Sequence, residues 1–258
     1  MEYDANKTVL LTRENNAELA AVLRGRGADV LEIPLISREL GYSGELASDI
    51  FETLGSYDWI TFSSAHGVKG FFAALFEYVD DIRAIGLARL ACVGESTAAE
   101  LRLFHLAPSV IPGVSNAAAM ADSMAEFETL ENLKILCVRG NLSQGDLERK
   151  LESEYGAIVD SFEVYKTSAR IVGKEEGALF RKYGAAALVF SSPSAVDSFA
   201  KNAPSLILSA KAIRPKIVTI GPSTSEAVKK LNMKVAASAN SPRVEDVADA
   251  VMKVLGKK

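Results

Sequence analysis

Phe62-Ser63-Ser64-Ala65-His66-Gly67-Val68 returns later in the chain as Phe190-Ser191-Ser192-Pro193-Ser194-Ala195-Val196. About thirty residues beyond each copy a second phrase follows: Val93-Gly94-Glu95-Ser96-Thr97, then Ile220-Gly221-Pro222-Ser223-Thr224. The copies lie 128 and 127 residues apart, close to half of the 258-residue chain. Leu10-Leu11-Thr12-Arg13 likewise answers to Leu136-Cys137-Val138-Arg139, and Ala28 to Ala157, at offsets of 126 and 129. A length of this order accommodates two ordinary domains. The repeat predicts two similar ones facing each other, with function expected in a cleft between the matched turns.

Working outward, short runs rich in Val, Ile and Leu alternate with segments of helical period. Thr8–Thr12, Val30–Ile36, Trp59–Phe62, Leu90–Val93 and Ser109–Ile111 read as extended in the first half. Asn16–Gly25, Leu46–Leu54, Thr97–Phe104 and Ala117–Phe127 read as helices between them. Val68, Phe71, Phe72 and Leu75 follow the i, i+3, i+4, i+7 spacing of an amphipathic helix. The second half keeps the rhythm, with strands at Lys134–Val138, Val159–Thr167, Ala187–Phe190, Lys216–Ile220 and Val235–Ala237. Its helices are Leu147–Glu154, Glu175–Tyr183, Val196–Asn202, Thr224–Leu231 and Val244–Leu255. Strands apolar on both faces, alternating with helices, predict an α/β fold of parallel sheets covered by helices on each side. Two stretches outlast an ordinary short strand, Pro34–Leu40 and Glu163–Arg170, and are read as linking strands.

Composition narrows the function classes. Apolar residues make up 48% and charged residues 24%, enough to bury two cores. A net charge of -4 argues against a nucleic-acid protein, which ordinarily presents a basic face. The polar start, Met1-Glu2-Tyr3-Asp4-Ala5-Asn6-Lys7, lacks a basic-then-apolar signal pattern. No apolar run approaches the roughly 20 residues of a membrane helix. Cys92 and Cys137 both sit in apolar strand-like runs and read as reduced core thiols, which suits a cytoplasmic setting. With two histidines, His66 and His105, and no closely spaced cysteines, no metal site is expected. His105 reads as a helix-end residue.

Each Phe-Ser-Ser and each Gly-x-Ser-Thr falls where a strand ends and a helix begins. Ligands of open parallel sheets bind outside those carboxyl ends. There a Ser or Thr caps the helix, the first-turn amides remain donors, and the helix dipole adds partial positive charge. One such turn holds one carboxylate or phosphate. Ser63/Ser64, Ser96/Thr97, Ser191/Ser192 and Ser223/Thr224, with Arg13 and Arg139 at two further strand ends, suit a ligand with several anionic groups. The competing reading is plain capping, worth about 1 kcal/mol per turn. Nucleotide fingerprints are lacking: Arg24-Gly25-Arg26-Gly27 follows a helix, as a glycine-stopped helix end does.

Phe-Ser-Ser-x-x-x-Val followed by Val/Ile-Gly-x-Ser-Thr, stated twice, resembles the uroporphyrinogen-III synthase family. Val138-Arg139-Gly140 at a strand end and Val164-Tyr165-Lys166-Thr167, like the family's Tyr-x-Thr segment, agree with it. The likeness runs in the family's order from about Thr8 to Leu255. It implies two three-layer α/β domains joined by a two-stranded linker, with residues 1–36 joining 170–258 and residues 37–169 forming the other domain. It implies an enzyme without a cofactor that closes hydroxymethylbilane, a linear tetrapyrrole. Water is lost and the last pyrrole ring is inverted, giving uroporphyrinogen III in tetrapyrrole biosynthesis. Each pyrrole carries an acetate and a propionate, which meets the expectation of a polyanion held by helix ends.

The resemblance implies substrate contacts at Ser64, Thr97, Ser192, Ser223 and Thr224, with Arg13, Arg139 and His66 as further candidates. Tyr165 is the implied proton donor, since a phenol with an ordinary pKa of about 10 stays protonated at neutral pH. His66 and Gly67 depart from what many relatives carry, and only the second serine turn has a proline. The small tetrapyrrole is the one partner expected, with no nucleic acid, no membrane and a monomeric chain. A non-enzymatic two-lobed anion-binding module is the alternative, and another cofactor-free tetrapyrrole enzyme a third reading.

Overall fold

The computed structural model describes residues 3–256; Met1 and Glu2 of the polar start, and Lys257 and Lys258, lie outside them. The chain divides into two compact units. One takes the chain up to Ser37 and again from Ser168 onward, the other Arg38–Thr167. The first unit opens with β1 (Thr8–Leu11), α1 (Ala17–Gly25) and β2 (Asp29–Glu32). Then come β3 (Ile36–Leu40), α2 (Gly44–Glu52), β4 (Trp59–Phe62), α3 (Ala65–Tyr78) and β5 (Arg89–Cys92). They are followed by α4 (Glu95–Arg102), α5 (Ala117–Phe127), β6 (Lys134–Gly140), α6 (Asp146–Tyr155) and the long β7 (Ile158–Ala169). The first unit resumes with α7 (Ala178–Tyr183), β8 (Ala187–Phe190), α8 (Pro193–Lys201) and β9 (Lys216–Thr219). It ends with α9 (Pro222–Lys230), β10 (Val235–Ser238) and α10 (Val244–Val254).

Each unit holds a five-stranded sheet. The orders are β10-β9-β8-β1-β2 in the first and β3-β7-β6-β4-β5 in the second. β1 pairs in parallel with both β2 and β8, and β8 with β9. In the second sheet β6 pairs in parallel with both β4 and β7, and β4 with β5. Strand order therefore reverses between β1 and β8 in one unit and between β6 and β4 in the other. At such a point neighbouring crossovers lead away from each other and leave a crevice at the carboxyl ends.

Side chains alternate across each sheet, so an apolar strand feeds two cores. Val9 and Leu11 join Ala20, Leu23 and Val251 on the face covered by α1 and α10, whereas Leu10 joins Phe180, Leu188 and Val196 on the other. In the second unit Ile60 and Phe62 pack with Phe71 and Phe162, whereas Trp59 packs with Met124 and Leu151. Helices cover both faces in each case, giving the mixed α/β fold of parallel sheets expected. None of the described helices is long and apolar enough to cross a membrane.

Helix ends follow the local chemistry. Gly27 adopts φ 79°, with Gly27 N donating to Arg24 O and Ala28 N to Leu23 O, each at 3.0 Å. This paired C-terminal motif closes α1 as the glycine-rich run predicts. His105, at φ 58°, closes α4 in the same way, and is a helix-end residue.

Three expectations need correction. Val30–Ile36 is not one run: β2 stops at Glu32, and β3 starts at Ile36 in the other sheet. Pro34, which lacks an N–H, stands in the break. A buried polar cluster in the first unit fixes that break. Arg170 N donates to Leu35 O at 2.9 Å and its Nη1 to Pro34 O at 3.1 Å. Asn202, 1% exposed, donates to Arg170 O at 2.7 Å and accepts from Val172 N at 2.8 Å. Ser109–Ile111 is reduced to a single bridge of Val110 to Ala91, since Pro108 and Pro112 remove donors on either side. α7 begins at Ala178 rather than Glu175, after a turn in which Ala178 N bonds Glu175 O.

Cys92 and Cys137 are free and buried, on opposite faces of their sheet. Burial pushes both thiols up to about 12, so thiolate is scarce at pH 8. In the folded chain neither is expected to react with a chromogenic disulfide reagent while the urea-unfolded chain consumes two equivalents. Rapid release of one equivalent from the folded chain would contradict this packing.

Candidate functional site

The first repeated phrase builds the same object twice. Ser64 caps α3 with φ -164° and ψ 157°, and its Oγ accepts from Gly67 N at 3.0 Å. Ser192 caps α8 with φ -164° and ψ 158°, its Oγ accepting from Ala195 N at 3.2 Å. Pro193 follows in the first turn, where a missing N–H costs nothing. The remaining Ser192 contact is to Ser194 Oγ at 2.9 Å.

The second phrase works differently from the sequence expectation. Gly94 and Gly221 occupy the cap positions of α4 and α9, and neither helix has a side-chain cap. Thr97 and Thr224 are each 2% exposed, inside the helix-to-sheet packing. The exposed hydroxyls of these turns belong to Ser96 and Ser223. Behind the second turn, Ser225 Oγ and Thr219 Oγ1 share a buried hydrogen bond of 2.6 Å.

Three candidates of the second unit come together. The Tyr165 hydroxyl lies 3.1 Å from Ser64 Oγ. The His66 ring stands 5.8 Å from the Tyr165 ring, tilted by 51°. Tyr165 lies on β7, opposite Gly140 at the end of β6, where the register shifts by a bulge between Arg139 and Gly140. The ring rests on Gly140, with no room for a Cβ between them. Bulges re-aim side chains in this manner. Sequence reasoning quoted Gly140 without seeing this; a glycine inside a strand pattern was the available signal.

Arg139 is engaged within its own unit. Its Nη1 donates to Glu148 Oε1 at 2.9 Å and its Nη2 to Glu163 Oε1 at 3.2 Å. Glu148 is 8% exposed and also accepts from Ser161 Oγ at 3.1 Å. Two carboxylates thus balance a guanidinium expected to serve a ligand. Neither was identified from sequence, because they come from α6 and β7, 9 and 24 residues away.

In the first unit, Arg13 and Ser191 line a cavity of about 290 Å³ at the carboxyl ends of β1 and β8, beside the starts of α1 and α10. In the second unit, Arg139 and Ser63 line one of about 190 Å³ at the ends of β6 and β4. Both lie where strand order reverses.

Comparison with known proteins bears on this arrangement. Residues 17–249 match the family described as uroporphyrinogen-III synthase HemD. A porphyrin biosynthesis protein HemD from Ruminiclostridium josui is 26% identical over 257 residues, covering 96% of this chain and 48% of that protein. The chain thus spans about half the length of this curated relative. A uroporphyrinogen III synthase variant from Thermus thermophilus superposes with a TM-score of 0.67 at 18% identity, over 97% of this chain and 99% of that one. The uroporphyrinogen-III synthetase of Helicobacter pylori gives 0.66 at 13% identity, over 96% and 99%. These two likenesses show a shared fold. With residues 17–249 answering to a single family description, the chain belongs to the uroporphyrinogen-III synthase family.

Proposed function

We propose that the chain closes hydroxymethylbilane to uroporphyrinogen III, with loss of water and inversion of the last pyrrole ring. Family membership carries the reading; within the structure, the Tyr165 hydroxyl held 3.1 Å from Ser64 Oγ supports it. The pyrrole nitrogen pushes electrons toward the hydroxymethyl carbon, and the carbon–oxygen bond breaks. Tyr165 gives its proton to the departing oxygen, which leaves as water. The substituted carbon of the last ring then attacks the resulting cation, and its old bond to the neighbouring methylene breaks. The methylene cation so formed is captured by the free α carbon of the same ring, and the proton released there returns to the Tyr165 phenolate. Proton donation of this kind contributes about 10²-fold or more, and fixing which carbon attacks contributes through orientation.

Ser64 and His66 of the second unit, and Arg13, Ser192 and Ser223 of the first, hold substrate carboxylates in this reading. Thr97 and Thr224 act from inside, as packing residues that fix the first turns. Arg139 acts through its ion pairs, by fixing the strand end next to Gly140. Pro34–Leu40 and Glu163–Arg170 form the two-stranded linker, with residues 1–36 and 170–258 as one domain and 37–169 as the other. The chain works as a cytoplasmic monomer.

Incubation with freshly made hydroxymethylbilane tests the reading. Faster formation of the type III isomer is expected; type I product alone, at the uncatalysed rate, would overturn it and favour a non-enzymatic anion-binding module. Tyr165→Phe keeps the ring on Gly140 and removes only the hydroxyl. Turnover is expected to fall at least about tenfold with substrate binding little changed, measured as kcat and as substrate affinity. Unchanged turnover would remove Tyr165 as the acid.

A further inference from the structure

The repeat places a small residue at one point of each serine-capped helix. Gly70 stands six residues after Ser64 in α3, and Ser198 six residues after Ser192 in α8. Each meets a strand carbonyl. Val164 answers to Leu35 at an offset of 129, the same that relates the start of β2 to the start of β7. The strand donors to those carbonyls answer to one another at that offset too: Gly41 N donates to Val164 O at 3.1 Å, and Arg170 N to Leu35 O at 2.9 Å.

The two helices differ in how near they come to that carbonyl. In the first unit Ser198, 1% exposed, donates its hydroxyl to Leu35 O, so a side chain fills the space between. In the second unit there is no space to fill. A Cβ on Gly70 would stand 2.7 Å from both Val164 O and Val164 Cγ2, and 2.8 Å from Val164 Cβ. The atoms met are a backbone carbonyl and a β-branched side chain, which is stiff at χ1. Glycine is a poor helix former away from helix ends, yet Gly70 lies in the middle of the 14-residue α3. What it supplies there is close approach of the backbone.

We propose that Gly70 is a positioning residue: by letting α3 lie against Val164, it sets the distance at which Ser64 and His66 meet Tyr165. Val164 directly precedes Tyr165 in β7, and Gly70 follows Ser64 and His66 within two turns of α3. The 3.1 Å between Ser64 Oγ and the Tyr165 hydroxyl measures that spacing. Ordinary carbon contacts lie at about 3.5–4.0 Å, so a Cβ at residue 70 would drive helix and strand apart by about 1 Å. That exceeds what the Ser64–Tyr165 hydrogen bond tolerates. The further step, that this spacing serves turnover, rests on the proposed function.

Two readouts on the full chain test the proposal. With tyrosine isotopically labelled at Cζ, the Tyr165 signal is identified by its loss in Tyr165→Phe. In Gly70→Ala that signal is expected to shift, and turnover of hydroxymethylbilane to fall about tenfold. In the Tyr165→Phe background the same change should cost less than about twofold, because both act through one hydroxyl. Met124→Ala, on the opposite face of the same sheet, should lower the urea midpoint without moving the Tyr165 signal or kcat. Val164→Ala loosens the contact without adding an atom, and decides the matter if Gly70→Ala does not fold. Its expected loss is about threefold, confined to chains that keep Tyr165. An unmoved Tyr165 signal in the folded variants, equal losses in both backgrounds, or an equal loss of kcat in Met124→Ala would each overturn the proposal, and type III product from the unaltered chain would leave the proposed function standing. A shifted Tyr165 signal in Gly70→Ala, when the unaltered chain makes no type III product, would support the positioning and overturn the function.

Discussion

Gly140→Ala is expected to cost about 10²-fold in turnover while leaving the chain folded. A Cβ on Gly140 would overlap Cζ and Cε2 of Tyr165 and stand 2.8 Å from its hydroxyl oxygen. The tyrosine ring is the far end of a side chain, so it swings aside more readily than the backbone moves. That motion takes the hydroxyl away from Ser64 Oγ, now 3.1 Å distant. A displacement of about 1 Å at a reacting group can cost about 10²-fold. The loss should be at least that of Tyr165→Phe, because either change takes the hydroxyl away from Ser64 Oγ. Single-turnover kinetics with hydroxymethylbilane, beside a urea melt of the same protein, make the measurement. The Gly140→Ala, Tyr165→Phe double variant should be no worse than Gly140→Ala alone, since the two changes act on one ring. Wild-type turnover in Gly140→Ala would show that the ring position does not matter.

Gly184→Ala is expected to abolish stable folding of the first unit, at a cost above about 4 kcal/mol. Gly184 ends α7 at φ 76° and ψ -157°, a conformation that is essentially confined to glycine. A Cβ there would overlap the carbonyl oxygen of Ile213 and stand 2.6 Å from its nitrogen. Those are backbone atoms of the strand-like contact in which Ala185 N donates to Ile213 O and Ile213 N to Tyr183 O. No rotamer change relieves the clash. Gly25→Ala is the matched control: it ends α1 with nothing within 4 Å of a new Cβ, so stability should hold or rise slightly. Soluble yield and urea midpoints of the two variants decide it. A Gly184→Ala protein with a wild-type midpoint would mean that this loop yields freely.

The strands were legible because parallel, doubly covered strands are short unbroken apolar runs, as in Trp59–Phe62 and Ala187–Phe190. The serine turns were legible because capping is local: Ser64 and Gly67 are three residues apart. The pairing of Ser64 with Tyr165 spans 101 residues and depends on a bulge, which leaves no periodic trace. The burial of the threonines was hidden for a related reason. Gly-x-Ser-Thr has cap-forming residues, but the backbone starts the helix at the glycine, which puts Thr97 and Thr224 one turn in and faces them inward. The ion pairs of Arg139 were hidden too, because its partners, Glu148 and Glu163, become neighbours only when α6 and β7 pack on β6. The same blindness hid Asn202, whose buried amide holds residues 170 and 172 from the far end of α8.

Central placement of β1, between β8 and β2, has a consequence for the order of events during synthesis. Arg38–Thr167 is contiguous and can collapse as soon as it leaves the ribosome, before the part of the first unit from Ser168 onward has been translated. Thr8–Leu11, buried throughout in the finished fold, must wait for Ala187–Phe190 to emerge before it has both neighbours. For that interval the nascent chain carries an apolar strand with one edge uncovered, on the side that β8 will take. Sites that slow translation after Thr167, or a shortage of chaperones that shield such strands, would therefore fall on the first unit and spare the second.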